Sequence, residues 1–247
     1  MPLRRAGPEG SVLIEGVRPV VEAIRAGRRT VHRVHLGDGS TPGLREVRAL
    51  AAQHGIEVRR ERPSRGIPCA ADADPLPEEN AEAILAQDPP RFLVALDRVT
   101  DVGNLGSIAR SAEGAGVSGL ILEHRRAPPI EPGALRASAG ALEHLRVGRT
   151  PSLGRTLDLA SAEGLTILAA DPGGVPIAQV EPGLLEHDLV VVFGSEDRGL
   201  RESIRRRADR LLRIPLGGRI GSFGVAASAA YLLLRIAEGR GPLARSH

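Results

Sequence analysis

The sequence contains no lysine, so all 33 of its basic residues are arginine. Cysteine occurs once, which excludes an internal disulfide, and tryptophan is absent. Aromatic residues make up only 2% of the 247 residues, too few for a base-stacking platform of the kind that single-strand binders use. No apolar run approaches the roughly 20 residues of a membrane-spanning helix, and the first residues lack the apolar core of a signal peptide. We therefore expect a soluble, cytoplasmic protein with no membrane partner.

Metal binding is not indicated by the sequence. His32 and His35 are close together, but no third ligand stands at a metal-binding spacing. The net charge is only +3. Guanidinium groups bind phosphate bidentately and stack on bases, so the arginine content is compatible with a nucleic-acid partner. Taken alone, it is equally compatible with a surface that is merely rich in arginine.

The pattern of the chain divides it into three parts. Residues 1–65 alternate short helices and strands and predict a small, basic α/β module. Residues 66–90 are rich in proline, alanine and acidic residues, which predicts a linker with one short helix near Glu79–Ala86. Residues 91–247 alternate strands and helices, as in a parallel sheet covered on both faces. Ligands of such a sheet bind beyond the carboxyl ends of its strands.

The predicted strands of residues 91–247 are short and apolar, with amphipathic segments between them. They are Phe92–Leu96, Gly119–Leu122, Leu165–Ala169, Leu189–Phe193 and Leu211–Ile214. The predicted helices are Asn104–Ala115, Pro132–Ser138, Leu153–Ala162, Gly199–Ala208 and Ser222–Glu238. In residues 1–65, helices are predicted at Arg18–Ala26 and Thr41–His54, and strands at Val31–Leu36 and Ile56–Arg60.

A glycine pattern of the dinucleotide-binding type is misplaced for that function. Gly114, Gly116 and Gly119 satisfy G-x-G-x-x-G, but a dinucleotide fingerprint follows a strand and opens a helix. Here the glycines follow a predicted helix and precede a predicted strand. We interpret them as a helix end and a turn.

Three other segments place glycines and polar residues after strands. Single residues in them have ordinary explanations: Asn104 or Glu196 can cap a helix, and Arg110 can be a solvated surface residue. Together they bring polar groups and exposed backbone amides to one edge of the sheet, where a charged ligand can bind. The segments are LDRVTDVGNLGSIARSAEGAG (96–116), VVVFGSEDRGL (190–200) and IPLGGRIGSFGVAASAAYLLL (214–234).

These segments resemble the three ordered motifs of the SpoU/TrmH-type RNA 2'-O-ribose methyltransferases of the SPOUT superfamily. The matching patterns are N-x-G-x-x-x-R, F-G-S-E-x-x-G-L and I-P-L…G-S-F-x-V-x-x-S-A-A. In addition, residues 137–147 (ASAGALEHLRV) and residues 13–34 (LIEGVRPVVEAIRAGRRTVHRV) resemble the RlmB-like branch, the latter its N-terminal RNA-binding module.

The resemblance implies an α/β fold in which a trefoil-knotted parallel-sheet domain follows a small α/β module. It implies S-adenosylmethionine as methyl donor, a homodimer that completes the site, and methylation of structured RNA, with large-subunit rRNA expected rather than tRNA. The cofactor would contact Gly194, Ile214, Leu216 and Phe223. The catalytic residues around the target ribose would be Asn104, Arg110, Glu196 and Ser222.

The chemistry gives Arg110 a definite role within this resemblance. A guanidinium stays charged and has no acceptor, so Arg110 is unsuited to remove a proton. We interpret it as a clamp on the neighbouring RNA phosphate that stabilises alkoxide character at the 2'-hydroxyl. The phosphate itself is then a candidate proton acceptor, and Asn104 orients Arg110 or the hydroxyl.

The sequence departs from the family pattern in its third motif. Gly224 and Ala226 stand where the family usually has asparagine and serine, and Asp101-Val-Gly103 replaces the usual Asp-Pro of the first motif. We therefore expect slow methyl transfer. Two alternatives remain open: an inactive SpoU-like protein that binds RNA during ribosome assembly, and a small-molecule nucleotide enzyme of ordinary doubly wound topology.

Overall fold

A computed structural model describes residues 10–61, 63, 66–130, 132–219, 221 and 223–241. Within them, the first part of the chain forms a four-stranded sheet with two helices. Its elements are β1 (Val12–Glu15), α1 (Val17–Ala26), β2 (Val31–Leu36), α2 (Pro42–Gln53), β3 (Glu57–Arg60) and β4 (Cys69–Ala73). The strand order is β1-β4-β2-β3, with β2 and β3 parallel and the other pairs antiparallel. The elements predicted between residues 18 and 60 are present within one residue at each end.

The strand β4 corrects part of the predicted linker. All five residues of Cys69–Ala73 are buried, and β4 lies between β1 and β2 in the middle of its sheet. The sequence CAADA contains no large apolar residue, so its composition is that of a linker although its position is that of a core strand. Small side chains suit this place because α1 packs closely on the strand.

A seven-stranded parallel sheet forms the second part of the fold. Its strands run in the spatial order β11-β9-β10-β6-β7-β8-β5, and every neighbouring pair is parallel. They are β5 (Glu79–Asn80), β6 (Phe92–Asp97), β7 (Gly119–Glu123), β8 (Arg146–Thr150), β9 (Thr166–Pro176), β10 (Leu189–Gly194) and β11 (Arg210–Arg213). The first half of the domain extends to one side of β6 and the second half to the other, so a topological switch point lies between β6 and β10.

Helices cover both faces of this sheet. They are α3 (Ala81–Leu85), α4 (Val102–Gly114), α5 (Pro132–Ala137), α6 (Leu153–Ala162), α7 (Pro182–Glu186), α8 (Glu202–Arg205) and α9 (Val225–Gly239). Alternate residues of β6 face opposite cores: Val94 and Leu96 pack with α4, α5 and α9, while Leu93 and Ala95 pack with α3, α6 and α8. The predicted fold class, a small α/β module followed by a parallel-sheet α/β domain, is confirmed. The resemblance places the trefoil knot in the last part of this chain.

Two elements of the predicted linker belong to the large domain. Strand β5 pairs with β8, and Ile84 of α3 fills the space that Gly119 and Gly148 leave on β7 and β8. Residues 69–73 and 79–80 thus form strands where a linker was predicted, whereas α3 confirms the short helix predicted near Glu79–Ala86. The strand β8 was not predicted because its sequence RVGRT is polar, but Arg146 and Arg149 are paired with Glu79 and Glu78.

The two parts of the chain contact each other through buried charge. Arg29, after α1, donates from Nε to Glu143 Oε2 at 3.0 Å, and both side chains are 1% exposed. Arg28 donates to the carbonyl oxygen of Leu145. Among the described helices, none is long and apolar enough to cross a membrane.

Candidate active site

A cavity of about 720 Å³ opens at the carboxyl end of β10, beside the middle of β9. This volume includes its open mouth. The walls come from three places: residues 170–172 of β9, the turn after β10, and the segment from the end of β11 into α9. The lining residues include Asp171, Gly194, Glu196, Leu212, Ile214, Leu216, Phe223, Val225 and Leu232. Four residues predicted to contact the cofactor, Gly194, Ile214, Leu216 and Phe223, are thus brought together around one cavity.

The turn after β10 requires glycine at its first position. A Cβ on Gly194 would lie 2.5 Å from the backbone nitrogen of Leu200, because residues 195–199 fold directly over the strand end. The Gly199 N–H donates to the Ser195 carbonyl oxygen at 2.8 Å and closes the turn. The backbone of this turn, rather than any side chain of Gly194, forms the wall of the cavity.

Glu196 connects the turn to the last helix. Its Oε1 accepts the backbone N–H of Val225, the first residue of α9, at 3.2 Å. A carboxylate at a helix N-terminus is favoured by the helix dipole and satisfies a free N–H. A Cβ added to the neighbouring Gly224 would lie 3.0 Å from the same oxygen. The absent side chain at 224 therefore leaves the room in which Glu196 sits.

A buried ion-pair network supports the turn from below. Arg201 donates from Nε to Asp97 Oδ1 at 2.6 Å and from Nη2 to Glu123 Oε1 at 2.8 Å, and its backbone N–H donates to Asp97 Oδ2 at 2.7 Å. Asp97 is fully buried at the end of β6. Burial raises the pKa of Glu123, but hydrogen bonds from the Leu153 N–H and Arg201 outweigh this and leave the pKa lowered.

Sequence reasoning did not single out Asp97 or Arg201. The available signal was a carboxylate at the end of an otherwise apolar strand, LVALD, since a buried charge needs a partner. The same network shortens the predicted helix Gly199–Ala208. The Arg201 N–H is bound by Asp97, and the regular helix α8 covers only Glu202–Arg205.

Asn104 and Arg110 lie on α4, outside the lining of this cavity. Asp101, not Asn104, caps the helix: its carboxylate accepts the Asn104 backbone N–H at 2.7 Å. Arg110 is exposed and has no hydrogen bond or ion pair with the described residues. The motif glycine Gly106 serves helix packing, because a Cβ there would lie 2.6 Å from the carbonyl oxygen of Ala134 on α5.

The remaining predictions concern Ser222, the apparent dinucleotide motif and metal ligands. Ser222 lies outside the described residues. Gly114 is the last residue of α4, Gly116 has φ +77 and Gly119 begins β7, so these glycines end a helix as predicted. Among the side chains that the structure describes, no group of three His, Cys, Asp or Glu residues is placed to hold a metal ion.

Two family models match the chain over these same regions. The model of the SpoU rRNA methylase family matches residues 91–234, which include β6, β10 and the whole cavity. This chain belongs to the SpoU rRNA methylase family. A second model, for the substrate-binding domain of RNA 2'-O ribose methyltransferases, matches residues 13–65. The predicted family and its N-terminal substrate-binding module are confirmed.

Relatives and solved structures agree with this membership. Proteins of Mycolicibacterium gilvum and Archaeoglobus fulgidus, each named an uncharacterized tRNA/rRNA methyltransferase, are 33% and 29% identical. The alignments cover 96% and 90% of this chain and 79% and 96% of those proteins. The SpoU methyltransferase AviRb of Streptomyces viridochromogenes is 26% identical, with a TM-score of 0.77 over 94% of this chain and 90% of that one.

A second similar solved structure is that of an AdoMet-bound rRNA methyltransferase of Sinorhizobium meliloti, at 25% identity. Its TM-score is 0.73 over 93% of this chain and 87% of that one. This SpoU methylase is accordingly a member of a family of RNA methyltransferases. The alternative of a small-molecule nucleotide enzyme does not fit a chain that carries both the methylase domain and an RNA substrate-binding domain.

Proposed function

We propose that this SpoU methylase transfers the methyl group of S-adenosylmethionine to a ribose 2'-hydroxyl of structured RNA, with large-subunit rRNA as the expected target. One observation carries the proposal. The four residues assigned to the cofactor by the family motifs, Gly194, Ile214, Leu216 and Phe223, line the same cavity. The likeness to an rRNA methyltransferase crystallised with this cofactor supports the choice of methyl donor.

The cavity suits the chemical nature of S-adenosylmethionine. Leu212, Val225 and Leu232 provide apolar surface for a nucleoside. Glu196 also lines the cavity, as do Arg213 and Asp171, whose carboxylate is paired with Arg205 at 3.2 Å, so the lining offers a ligand charged groups of both signs. Bound there, the cofactor supplies a methyl group already activated by its sulfonium.

The protein then has to position the ribose and stabilise the developing alkoxide. In this proposal Arg110 binds the RNA phosphate next to the target ribose. Its guanidinium is available for this contact because it is exposed and has no partner among the described residues. Asn104, one to two helical turns before Arg110 on α4, orients the bound nucleotide. Glu196 stays a predicted ribose contact, and its carboxylate also accepts the Val225 N–H at the start of α9. Ser222 stays a predicted ribose contact.

The separation of these groups supports the homodimer as part of the proposal. Asn104 and Arg110 lie on α4, whereas the cavity is built from β9, β10, β11 and α9. A second subunit that brings its own α4 to the mouth of the cavity would complete the site, as the family resemblance implies. The substrate-binding domain at residues 13–65 would hold the rest of the RNA.

Methyl transfer to RNA tests this function directly. Purified protein is incubated with labelled S-adenosylmethionine and total RNA from a host that lacks the gene, and labelled RNA is mapped for a 2'-O-methylated nucleotide. We expect label in large-subunit rRNA and, by calorimetry, micromolar binding of the cofactor. An absence of cofactor binding at millimolar concentration would overturn the proposal, and label in tRNA would change the target.

One feature favours a second candidate, an inactive RNA-binding protein of ribosome assembly. Gly224 and Ala226 remove an amide and a hydroxyl from the third motif, and in the structure Glu196 occupies the space beside Gly224. This candidate predicts that cofactor and RNA bind but that no methylated product forms.

A further inference from the structure

A second concavity lies on the substrate-binding domain, at the carboxyl ends of the parallel strands β2 and β3. It is an open groove of about 870 Å³ lined by the loop Gly37–Ser40, by Arg45 and Arg48 of α2, and by Arg60 at the end of β3. We call this surface the arginine groove. None of the described residues that line it is aromatic. A base-stacking surface is therefore not what the groove offers.

The guanidinium groups of the groove are held without being neutralised. Arg45 donates to the Ser40 carbonyl oxygen at 2.5 Å, and Arg48 donates to the Gly39 carbonyl oxygen at 3.1 Å. These bonds tie both side chains to the loop and leave other N–H donors of each fork available. Neither arginine, nor Arg60, forms an ion pair with a carboxylate of the described residues.

Other exposed arginines of the same domain are paired. Arg25 contacts Glu46 at 2.6 Å, Arg59 contacts Glu57 at 2.9 Å, and Arg18 lies 4.0 Å from Glu22. Asp38 also lines the groove, but it is exposed and leaves the groove with net positive charge. Three unpaired guanidinium groups in one concavity are therefore a local exception in a surface of paired charges.

We propose that the arginine groove binds phosphodiester groups of the RNA substrate. Guanidinium groups bind phosphate oxygens bidentately, and their pre-formed bonds to the loop reduce the entropy lost on binding. The groove is too large and open to enclose a single phosphate ion, which favours a stretch of nucleic-acid backbone. Contacts of this kind fix the position of RNA without reading its sequence. This inference rests on the proposed function only in taking RNA as the substrate.

The salt dependence of RNA binding tests the groove. The variant Arg45→Gln/Arg48→Gln/Arg60→Gln is compared with the control Arg18→Gln/Arg25→Gln/Arg59→Gln, which changes net charge equally but removes paired arginines. Affinity for a fluorescently labelled stem–loop RNA and for total rRNA is measured between about 50 and 200 mM salt. We expect the groove variant to lose affinity about tenfold at low salt. The slope of log affinity against log salt concentration should fall in magnitude by about 2, because each lost phosphate contact contributes roughly 0.7 to 0.9 to that slope. In the control variant the slope should change by less than the contribution of about one phosphate contact.

Equal losses in both variants would show non-specific attraction to the whole surface and overturn the proposal. The proposal would also be overturned if the groove variant bound inorganic phosphate more weakly but bound RNA as the wild type does, because the groove would then be a site for the free ion. Thermal unfolding of both variants establishes that they are folded. RNA binding is measured without the cofactor, and calorimetry with S-adenosylmethionine should give wild-type affinity in both variants. A failure of methyl transfer in the wild type is therefore distinguishable from a failure of the groove.

Discussion

Arg110 is the residue on which the proposed chemistry depends most. It projects from α4 without a described partner, so its guanidinium is available to a ligand rather than used in the fold. We predict that Arg110→Ala abolishes methyl transfer, a fall in rate of at least about a hundredfold, because a charged clamp on the reacting nucleotide is lost. Cofactor affinity should be nearly unchanged because Arg110 does not line the cavity.

The control is Arg155→Ala. Arg155 is exposed on α6, which packs on the opposite face of the sheet from α4. This variant should keep wild-type methyl transfer. An active Arg110→Ala enzyme would show that Arg110 has no role in the reaction.

Gly224 decides how fast the reaction is expected to be. The family usually has asparagine here, and the loss of one hydrogen bond from a site costs about a hundredfold in rate. We predict slow methyl transfer by the wild type and a gain of about tenfold or more in Gly224→Asn, with little change in cofactor affinity. The asparagine has to displace Glu196 by a few tenths of an ångström, because a Cβ at 224 lies 3.0 Å from its Oε1.

The variant Gly224→Ala distinguishes the effect of the asparagine side-chain amide from the effect of displacing Glu196. Alanine moves Glu196 as asparagine does but donates no hydrogen bond, so it should not exceed the wild-type rate. Arg110→Ala combined with Gly224→Asn should remain inactive. If neither the wild type nor Gly224→Asn yields product while both bind cofactor and RNA, the assembly-factor candidate replaces the enzyme.

The turn after β10 is held in place by carboxylates at the ends of β6 and β7. Arg201 joins the turn to Asp97 and Glu123, and Asp97 is fully buried. We predict that Arg201→Met lowers the free energy of unfolding by about 3 kcal/mol, because buried Asp97 loses its nearest cation and keeps only the backbone N–H of residue 201 and the Arg98 guanidinium at 3.8 Å. The affinity for S-adenosylmethionine should also fall, since Gly194 and Glu196 line the cavity from this turn. Chemical denaturation and calorimetry measure the two effects.

A matched control is Arg207→Met. Arg207 contacts Asp158 at 2.7 Å, but both side chains are substantially exposed, so less than about 1 kcal/mol should be lost. The network also has a pH signature. The pKa of Glu123 is lowered in the folded protein, so its stabilisation is present above the unfolded pKa and is lost as the pH falls through the folded one. Equal losses in Arg201→Met and Arg207→Met would contradict the special role of the buried pair.

The elements that could be predicted from sequence are those with a strong apolar or capping signal. The strand LVVVFG and the helix Leu153–Ala162 were located because their apolar periods are unambiguous. The strands CAADA and RVGRT were not, because their stability comes from neighbours: β4 is covered on both edges, and the arginines of β8 are paired with Glu78 and Glu79. Local pattern carries no information about such partners.

The same limit applies to the candidate site. The family motifs identified the cavity residues, but not the support beneath them. The partner of Asp97 is Arg201, 104 positions later in the chain, and such a pairing is visible only in the fold. The place of Glu196 likewise depends on α9 returning to the end of β10.

The outer face of α9 is the expected dimer surface. The small residues Ala226–Ala230 would permit close approach of another helix, but Ala229 is fully buried and Ala226 packs against the core, so part of that face is used within the subunit. The exposed residues of α9 are larger: Tyr231 and Leu234, one helical turn apart, are 40% and 43% exposed. Large apolar residues that share one exposed face favour a protein partner.

We predict a homodimer in solution that Tyr231→Glu/Leu234→Glu dissociates. Buried at a subunit interface, each carboxylate would lose its hydration without gaining a partner, which weakens association by several kcal/mol. Light scattering at tens of micromolar protein should give a dimer for the wild type and a monomer for the variant. The variant should lose less cofactor affinity than methyl-transfer activity, because the cavity is built within one subunit. Leu159→Glu is the control: Leu159 is 37% exposed on α6, on the opposite face of the sheet, and should leave the dimer intact. A double variant that stays dimeric would show that α9 does not form the interface. A monomeric wild type would contradict the dimer itself, and with it the proposed completion of the site by the α4 of a second subunit.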